Sequence, residues 1–205
     1  MDINNMTRNF FEDEIQYESL EGKLLVASPH LEDPYFSRTI IYLCAHDESG
    51  AVGIIVNQKI GTISSKDLVF TGQKPEKPLK HKRLPLMFGG PTNSDMLLIL
   101  SKKKDDEKSL ITQSFIVHTD IFGFLEDEQN KKNNLDKNKF ILAKGVAAWE
   151  SQQLEEEVES NDWLVVEPTL DLVFSNKRGD TTWNKIIKSI GIVKPHELVH
   201  YSGSA

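Results

Sequence analysis

One cysteine, Cys44, occurs in the 205 residues. No internal disulfide can form, which suits a reducing compartment. Long apolar runs are absent too. The longest are strand-sized, far short of the roughly 18 residues a membrane-crossing helix needs. The opening stretch through Gly22 lacks the apolar centre of a secretory signal and carries acidic side chains. Positive charge is in deficit: 24 Lys and Arg stand against 31 Asp and Glu, for a net charge of −7. Binding along a phosphate backbone draws on clustered cations, so this balance argues against a general nucleic-acid binder. At 39% the hydrophobic share falls below the usual ~45–50%, a deficit the polar inserts account for. These absences lead to the expectation of a soluble cytoplasmic protein, and the length predicts one domain able to bury a core unaided.

What is present reads mostly as strands. Leu24 to Ala27 is a short apolar strand. Pro29 and Pro34 bracket a turn that neither would allow inside a sheet. Thr39 to Cys44 is β-branched and aromatic, apolar on both faces, and so predicted to be central and covered on both sides. The turn His46 to Gly50 and the return strand Ala51 to Val56 make a hairpin. Ser64 to Asp67 resembles a capping box opening a short helix. Further strands are predicted at Leu84–Phe88, Met96–Leu100, Ser114–His118, Phe140–Ala143 and Trp163–Val166. Loops are expected over 71–83, 102–108 and 126–139. Gln152–Glu159 reads as a helix capped by Ser151, with Glu155, Glu156 and Glu157 forming a solvated face. Asp180 opens a last helix whose Trp183, Ile186, Ile187 and Ile190 fall on one stripe, ended by Gly191 and Pro195. Strands joined partly by hairpins and partly across helices make an α+β, single-domain, mixed sheet. Residues 1–19 read as an extension, 20–192 as the domain and 193–205 as a tail.

Three stretches carry a family resemblance: Leu20-Glu21-Gly22-Lys23-Leu24 through Pro29, Asp33-Pro34-Tyr35-Phe36-Ser37-Arg38-Thr39, and His46-Asp47-Glu48-Ser49-Gly50 through Asn57. Phe88-Gly89-Gly90-Pro91, Trp149 with Gln153 to Glu157, and Asp162-Trp163-Leu164 follow in the same order. Together they resemble the AlgH/YqgE family of bacterial proteins. The resemblance implies a mostly antiparallel sheet that bifurcates around a barrel-like core flanked by helices, and it implies no settled activity. Members are often called transcriptional regulators, yet no helix-turn-helix or basic recognition helix occurs here. Two positions that are glycine in the family are Ala148 and Gln152 in this chain.

The candidate chemistry is sparse. Cys44 and His46 stand two apart on one strand, so a regular strand would place them on one face as a thiol–imidazole pair. A buried thiol beside a turn histidine is the stronger interpretation. His30, Asp33, Arg38, His46, Asp47 and Asn57 sit at the corners of the three-stranded unit and could converge on a small ligand. Against that, Asp33 and Asp47 are turn formers that Arg38 could pair with. Gly89-Gly90-Pro91 could offer N–H groups to an anion but lacks the Lys-Ser/Thr ending of a phosphate loop, so a tight turn is preferred. Lys74, Lys77, Lys80, Lys82 and Arg83 form a basic cluster best read as a solvated loop. Trp149, Trp163 and Trp183 are read as core.

No nucleophile–base–orienter set, cofactor loop or metal spacing stands out. The expectation is a regulatory or binding module without enzymatic activity, with no cofactor, no metal and no membrane. It would act on a protein partner or small ligand through a groove where His30, Asp33, Arg38 and Asn57 approach Gly89 and Gly90. The alternatives are an enzyme or a binder of a nucleotide- or phosphate-like ligand using Arg38, and direct DNA contact, which rests on the family label alone.

Overall fold

Short β-branched and aromatic runs punctuated by Gly, Pro and Asp become strands because alternate side chains then reach two buried faces. The computed structural model describes residues 18–64, 67–68, 83–102, 115–131, 140–174 and 180–190. The expected tail from 193, most of the N-terminal extension and all of the basic cluster except Arg83 lie outside the described residues. Among those described, the strands are β1 (Leu24–Ala27), β2 (Ile40–Asp47), β3 (Gly50–Ile55), β4 (Lys59–Ser64), β5 (Arg83–Phe88), β6 (Thr92–Lys102), β7 (Phe115–His118), β8 (Phe140–Glu150) and β9 (Trp163–Val166). The helices are α1 (Ile121–Lys131), α2 (Gln153–Glu159), α3 (Leu170–Val173) and α4 (Asp180–Ser189).

The sheet runs β4-β5-β8-β3-β2-β1-β9, with β6 joining β8 off this path and β7 pairing β6. It is the bifurcated, mixed, mostly antiparallel sheet of an α+β domain. Among the described strands the one parallel pair is β5 with β8. Its ends do not meet among the described residues, so the sheet is open. The branch lies in β8. The first part of β8 pairs with β6 on one side, Ser101 opposite Phe140, and with β5 on the other, Leu86 opposite Leu142. The last part pairs with β3, from Gly53↔Ala147 to Gly50↔Glu150.

Three glycines make the branch possible. Gly89, between β5 and β6, donates its N–H to the Lys144 carbonyl (2.8 Å) and accepts from the Ile55 N–H (2.9 Å). It therefore bonds to β3 and β8 at once. A Cβ at Gly89 would strike the Gly145 carbonyl, one at Gly90 the backbone of Val146 and Ala147, and one at Gly145 the Gly90 carbonyl. Gly145 has φ +75°, a left-handed conformation that side chains disfavour.

Strand alternation divides the core. Leu24, Val26, Ile40, Tyr42 and Ile54 face a cluster completed by Val173 of α3, Phe174 just after it, and Trp183, Ile186 and Ile187 of α4. Leu25, Ala27, Ile41, Leu43 and Ile55 face the opposite cluster, with Leu154 of α2, Trp149 and Trp163. A third cluster under α1 joins Ile99, Phe140 and Leu142 to Ile121, Phe122 and Leu125. The stripe expected in α4 is buried through Ile187, while Ile190 is 45% exposed.

Several local expectations are corrected. Ser64 ends β4, paired with Arg83. The β-branched Thr62 and Ile63 before it find partners in β5; of the short helix expected beyond, Asp67–Leu68 is described as a 3₁₀ turn and the rest lies outside the described residues. The polar loop expected from 126 is helix α1 as far as 131. Its entry is held by Asp120, whose Oδ1 accepts the Gly123 N–H (2.9 Å), and Ile121, Phe122 and Leu125 give it a buried face. Ser151 does not cap α2; its hydroxyl donates to the Glu48 carbonyl (2.6 Å). The cap position belongs to Gln152 at φ +65°, the left-handed geometry a glycine would fill at less strain. Ala148 is exposed on β8 opposite the exposed Val52, so the other lost glycine meets no obstruction.

If the glycine crossing is the obligatory feature, Gly90→Ala should lose more than about 3 kcal/mol in urea unfolding or fail to fold. Ala148→Val, on the exposed side of the same junction strand, should stay within about 0.5 kcal/mol.

Candidate functional site

The segment from Ser28 to Thr39 between β1 and β2 is where the predicted polar residues gather, and each has a definite task. The Asp33 Oδ1 accepts the N–H groups of Tyr35 (2.7 Å) and Phe36 (3.0 Å), and its carbonyl accepts the Ser37 N–H (2.9 Å). This is the Asx turn its position before Pro34 predicts. The turn drives the Phe36 ring against Trp149 and Trp163, at centroid distances of 6.4 and 5.9 Å. The Thr39 N–H and hydroxyl both donate to the Phe36 carbonyl, at 3.1 and 2.7 Å.

Arg38 then adopts φ +57°, an uncommon conformation for a residue with a Cβ. Asn57 holds it there. Only 2% exposed, Asn57 accepts the Ile40 N–H at Oδ1 (2.8 Å) and donates from Nδ2 to the Arg38 carbonyl (2.9 Å). Its amide thus joins the start of β2 to the end of β3. The Arg38 side chain lies exposed on the surface, its Nη1 2.8 Å from Asp180 Oδ2 and its guanidinium carbon 5.8 Å from the Trp183 ring centre. Trp183 itself is anchored, its indole N–H donating to the Ala27 carbonyl (2.7 Å). Beside Arg38, Tyr35 is 52% exposed and stacks on Phe88 at 6.1 Å. Gln58 reaches the Tyr35 carbonyl at 3.5 Å.

Arg38 and Asn57 therefore meet directly. Gly89 joins them through β3, since Ile55 bonds to it two residues before Asn57. Gly89 and Gly90 are buried backbone junctions, and the Gly89 N–H is committed to Lys144. His30 turns to Asp162, with Nε2 3.2 Å from Oδ1.

His46 and Asp47 lie at the other end of β2. The Asp47 carboxylate is held below the usual carboxylate range, chiefly by its hydrogen bond from the Ser49 hydroxyl and also by the Ser49 N–H. His46 is buried. Its Nδ1 accepts the Leu20 N–H (2.9 Å), and its Nε2 lies 3.1 Å from Glu155 of α2. Accepting at Nδ1 leaves Nε2 as the donor to the carboxylate.

The strand places Cys44 and His46 on different faces. The β2–β3 register breaks between Leu43 and Ala45, and a bulge of one residue inverts the alternation beyond it. Cys44 packs toward the α3–α4 side, while His46 turns to α2. Burial, reinforced by Glu21, pushes the Cys44 thiol up to about 12. Its Sγ lies 3.5 Å from the Tyr42 carbonyl. No nucleophilic dyad exists there.

The acidic run of α2 is also only partly the solvated face it was expected to be. Glu156 is exposed, but Glu155 binds His46 and Glu157 is shared by two tryptophans. The Glu157 Oε2 accepts the indole N–H of Trp149 (2.8 Å) and of Trp163 (2.6 Å). The signal was present: Glu157 stands three residues after the buried Leu154, on the same helix face. Among the described residues, no group of three His, Cys, Asp or Glu side chains is placed to hold a metal ion, and no helix is long and apolar enough to cross a membrane.

Fold and corner define an α+β domain with an open branched sheet and a rigid loop displaying an aromatic and an arginine. A family model described as AlgH-like matches residues 24–194, and the chain belongs to that family. A UPF0301 protein of Vibrio cholerae is 32% identical over 194 residues, covering 91% of this chain and 100% of that one. A UPF0301 protein of Buchnera aphidicola is 31% identical, covering 91% and 98%. The solution structure of the AlgH protein from Pseudomonas aeruginosa superposes with a TM-score of 0.62 at 24% identity, covering 92% of this chain and 97% of that one. A crystal structure of a Corynebacterium diphtheriae protein gives 0.62 at 22%, covering 84% and 87%. These two likenesses establish the fold alone.

With its thiol at about 12 rather than 9, Cys44 should react with a disulfide reagent at pH 8 about a thousand-fold more slowly in the folded protein than in denaturant, from thiolate fraction alone. Equal rates would mean an open, ionised thiol.

Proposed function

We propose that this is a cytoplasmic binding module of regulatory character, recognising a protein partner through the Tyr35–Arg38 corner. The observation that carries this is the immobilised presentation of the two side chains. Arg38 is fixed in a left-handed conformation by the buried Asn57 amide, and Tyr35 stands 52% exposed on a turn pinned by Asp33 and Phe36. Tyrosine and arginine are the residue types that anchor interfaces, and pre-ordering them reduces the entropy lost on binding. The polar atoms of Asp33, Asn57 and Gly89 are engaged in holding the backbone, which favours recognition at the corner over turnover.

Phosphate-like ligands are the second reading, supported by the exposed Arg38 guanidinium. Such a ligand would compete with Asp180, whose carboxylate already holds Nη1. Direct DNA contact has the net charge of −7 against it.

The test is affinity capture from cell extract with the wild-type chain, Tyr35→Ala/Arg38→Ala and the remote Val165→Ala, alongside a thermal-shift panel of nucleotides and sugar phosphates. The expected outcome is a partner retained by wild type and Val165→Ala and reduced at least tenfold by the corner variant, with no ligand shift. A partner held equally by all three would refute the corner. Saturable stabilisation by a phosphate compound, lost in Arg38→Ala, would replace the protein partner with a small ligand.

A further inference from the structure

Away from the corner, on the β6–β7 arm, a hydroxyl and an imidazole have the geometry of a nucleophile and its base. Ser101 stands near the end of β6 and His118 at the end of β7. In the register, Ser101 opposes Ile116 and Ile99 opposes His118. The two side chains therefore share one face and meet diagonally across the ladder. Ser101 Oγ lies 2.8 Å from His118 Nε2.

Helix α1 covers this face. The Phe124 ring lies 4.7 Å from the imidazole, tilted by 48°, and 5.4 Å from Phe140. Phe140 is the other ladder neighbour of Ser101. Ser101 is 6% exposed and Ile116 beside it 40% exposed, so among the described residues the β7 side is the more open one. Burial holds the His118 imidazole below the usual histidine range, so it is neutral at pH 7 and able to accept a proton. Charged groups on the packed elements include Lys102 of β6 and Glu126, Asp127 and Glu128 of α1. Glu128, one turn beyond Phe124, opposes the burial, and its charge would steady an imidazolium formed during reaction.

We propose that Ser101 is a nucleophile with His118 as its general base, acting on small carboxylic esters or thioesters with an apolar acyl group. The acyl preference follows from Ile116, Phe124 and Phe140, the apolar side chains around the pair among the described residues. In the first step the Ser101 hydroxyl proton passes to His118 Nε2 as Oγ bonds to the carbonyl carbon, and the carbonyl π pair moves onto its oxygen. Collapse breaks the bond to the alkoxide or thiolate, which leaves with the proton from His118. Water, deprotonated by the same nitrogen, then releases the acid and restores the hydroxyl. Ester and water become acid and alcohol, with no further reactant. This activity is separate from recognition at the corner, and either can stand without the other.

The test treats the folded full chain with a fluorophosphonate probe and maps the adduct by peptide mass spectrometry. The expected result is an adduct on Ser101, lost in denaturant, whose rate rises with pH through one ionisation below the usual histidine value. His118→Gln, whose amide can still bond to Ser101 but cannot serve as the base, should slow labelling at least about 100-fold with the folded state retained by circular dichroism. An unmodified Ser101 in the folded wild-type protein would overturn the proposal. So would labelling that persists in denaturant or is indifferent to pH. If His118→Gln does not fold, the wild-type adduct and its pH profile decide the matter.

Discussion

The backbones of Gly89, Gly90 and Gly145 cross at a distance that excludes a Cβ, and the two arms of the sheet are joined there. One strand, β8, must serve β5 and β6 along its first part and β3 along its last. A strand has only two edges, so changing partners requires another backbone to enter the sheet at the changeover. The segment between β5 and β6 does this, with Gly89 bonded to Lys144 on one side and to Ile55 on the other. At that separation there is no room for a Cβ. Glycine is demanded here by contact as well as by dihedral preference.

From this branch the remaining architecture follows. The β1-β2-β3-β9 arm is apolar on both faces because α2 covers one and α3 with α4 the other. The β6–β7 arm is closed by α1. The corner between β1 and β2 sits where the first arm meets the branch, and its loop is held at three points: the Asx turn of Asp33, the Phe36 ring between two tryptophans, and the Asn57 amide. Polar groups that might have served chemistry at the corner instead fix geometry. Tyr35 and Arg38 are among the side chains that face solvent there.

Much of this was legible in the residues. The central hairpin announced itself through Ile40-Ile41-Tyr42-Leu43 and Ala51 to Ile55, because apolar runs on both faces can only be covered on both sides. Asp33 before Pro34 and the apolar stripe of α4 as far as Ile187 read correctly for the same local reasons. What escaped depended on contacts distant in sequence. The bulge at Cys44 cannot be seen in β2 alone, since it is a mismatch in count with β3, and it decides which face His46 takes. The α1 helix was hidden because its polar side chains outnumber the three that meet β6 and β8. The Glu157 carboxylate shared by Trp149 and Trp163 required a helix and two strands to be placed first. Ser101 and His118 belong to separate strands whose register no local pattern reveals.

The branch is part of the global fold and not a loop laid over two independent arms. Native-state hydrogen exchange at the Gly89 and Ile55 amides tests it most directly. Both should exchange only with the free energy of complete unfolding, matching the Ile99 and Leu142 amides in the middle of the sheet. Exchange of Gly89 and Ile55 at a markedly lower free energy, with Ile99 and Leu142 still protected, would show that the crossing opens alone and is no part of the global fold.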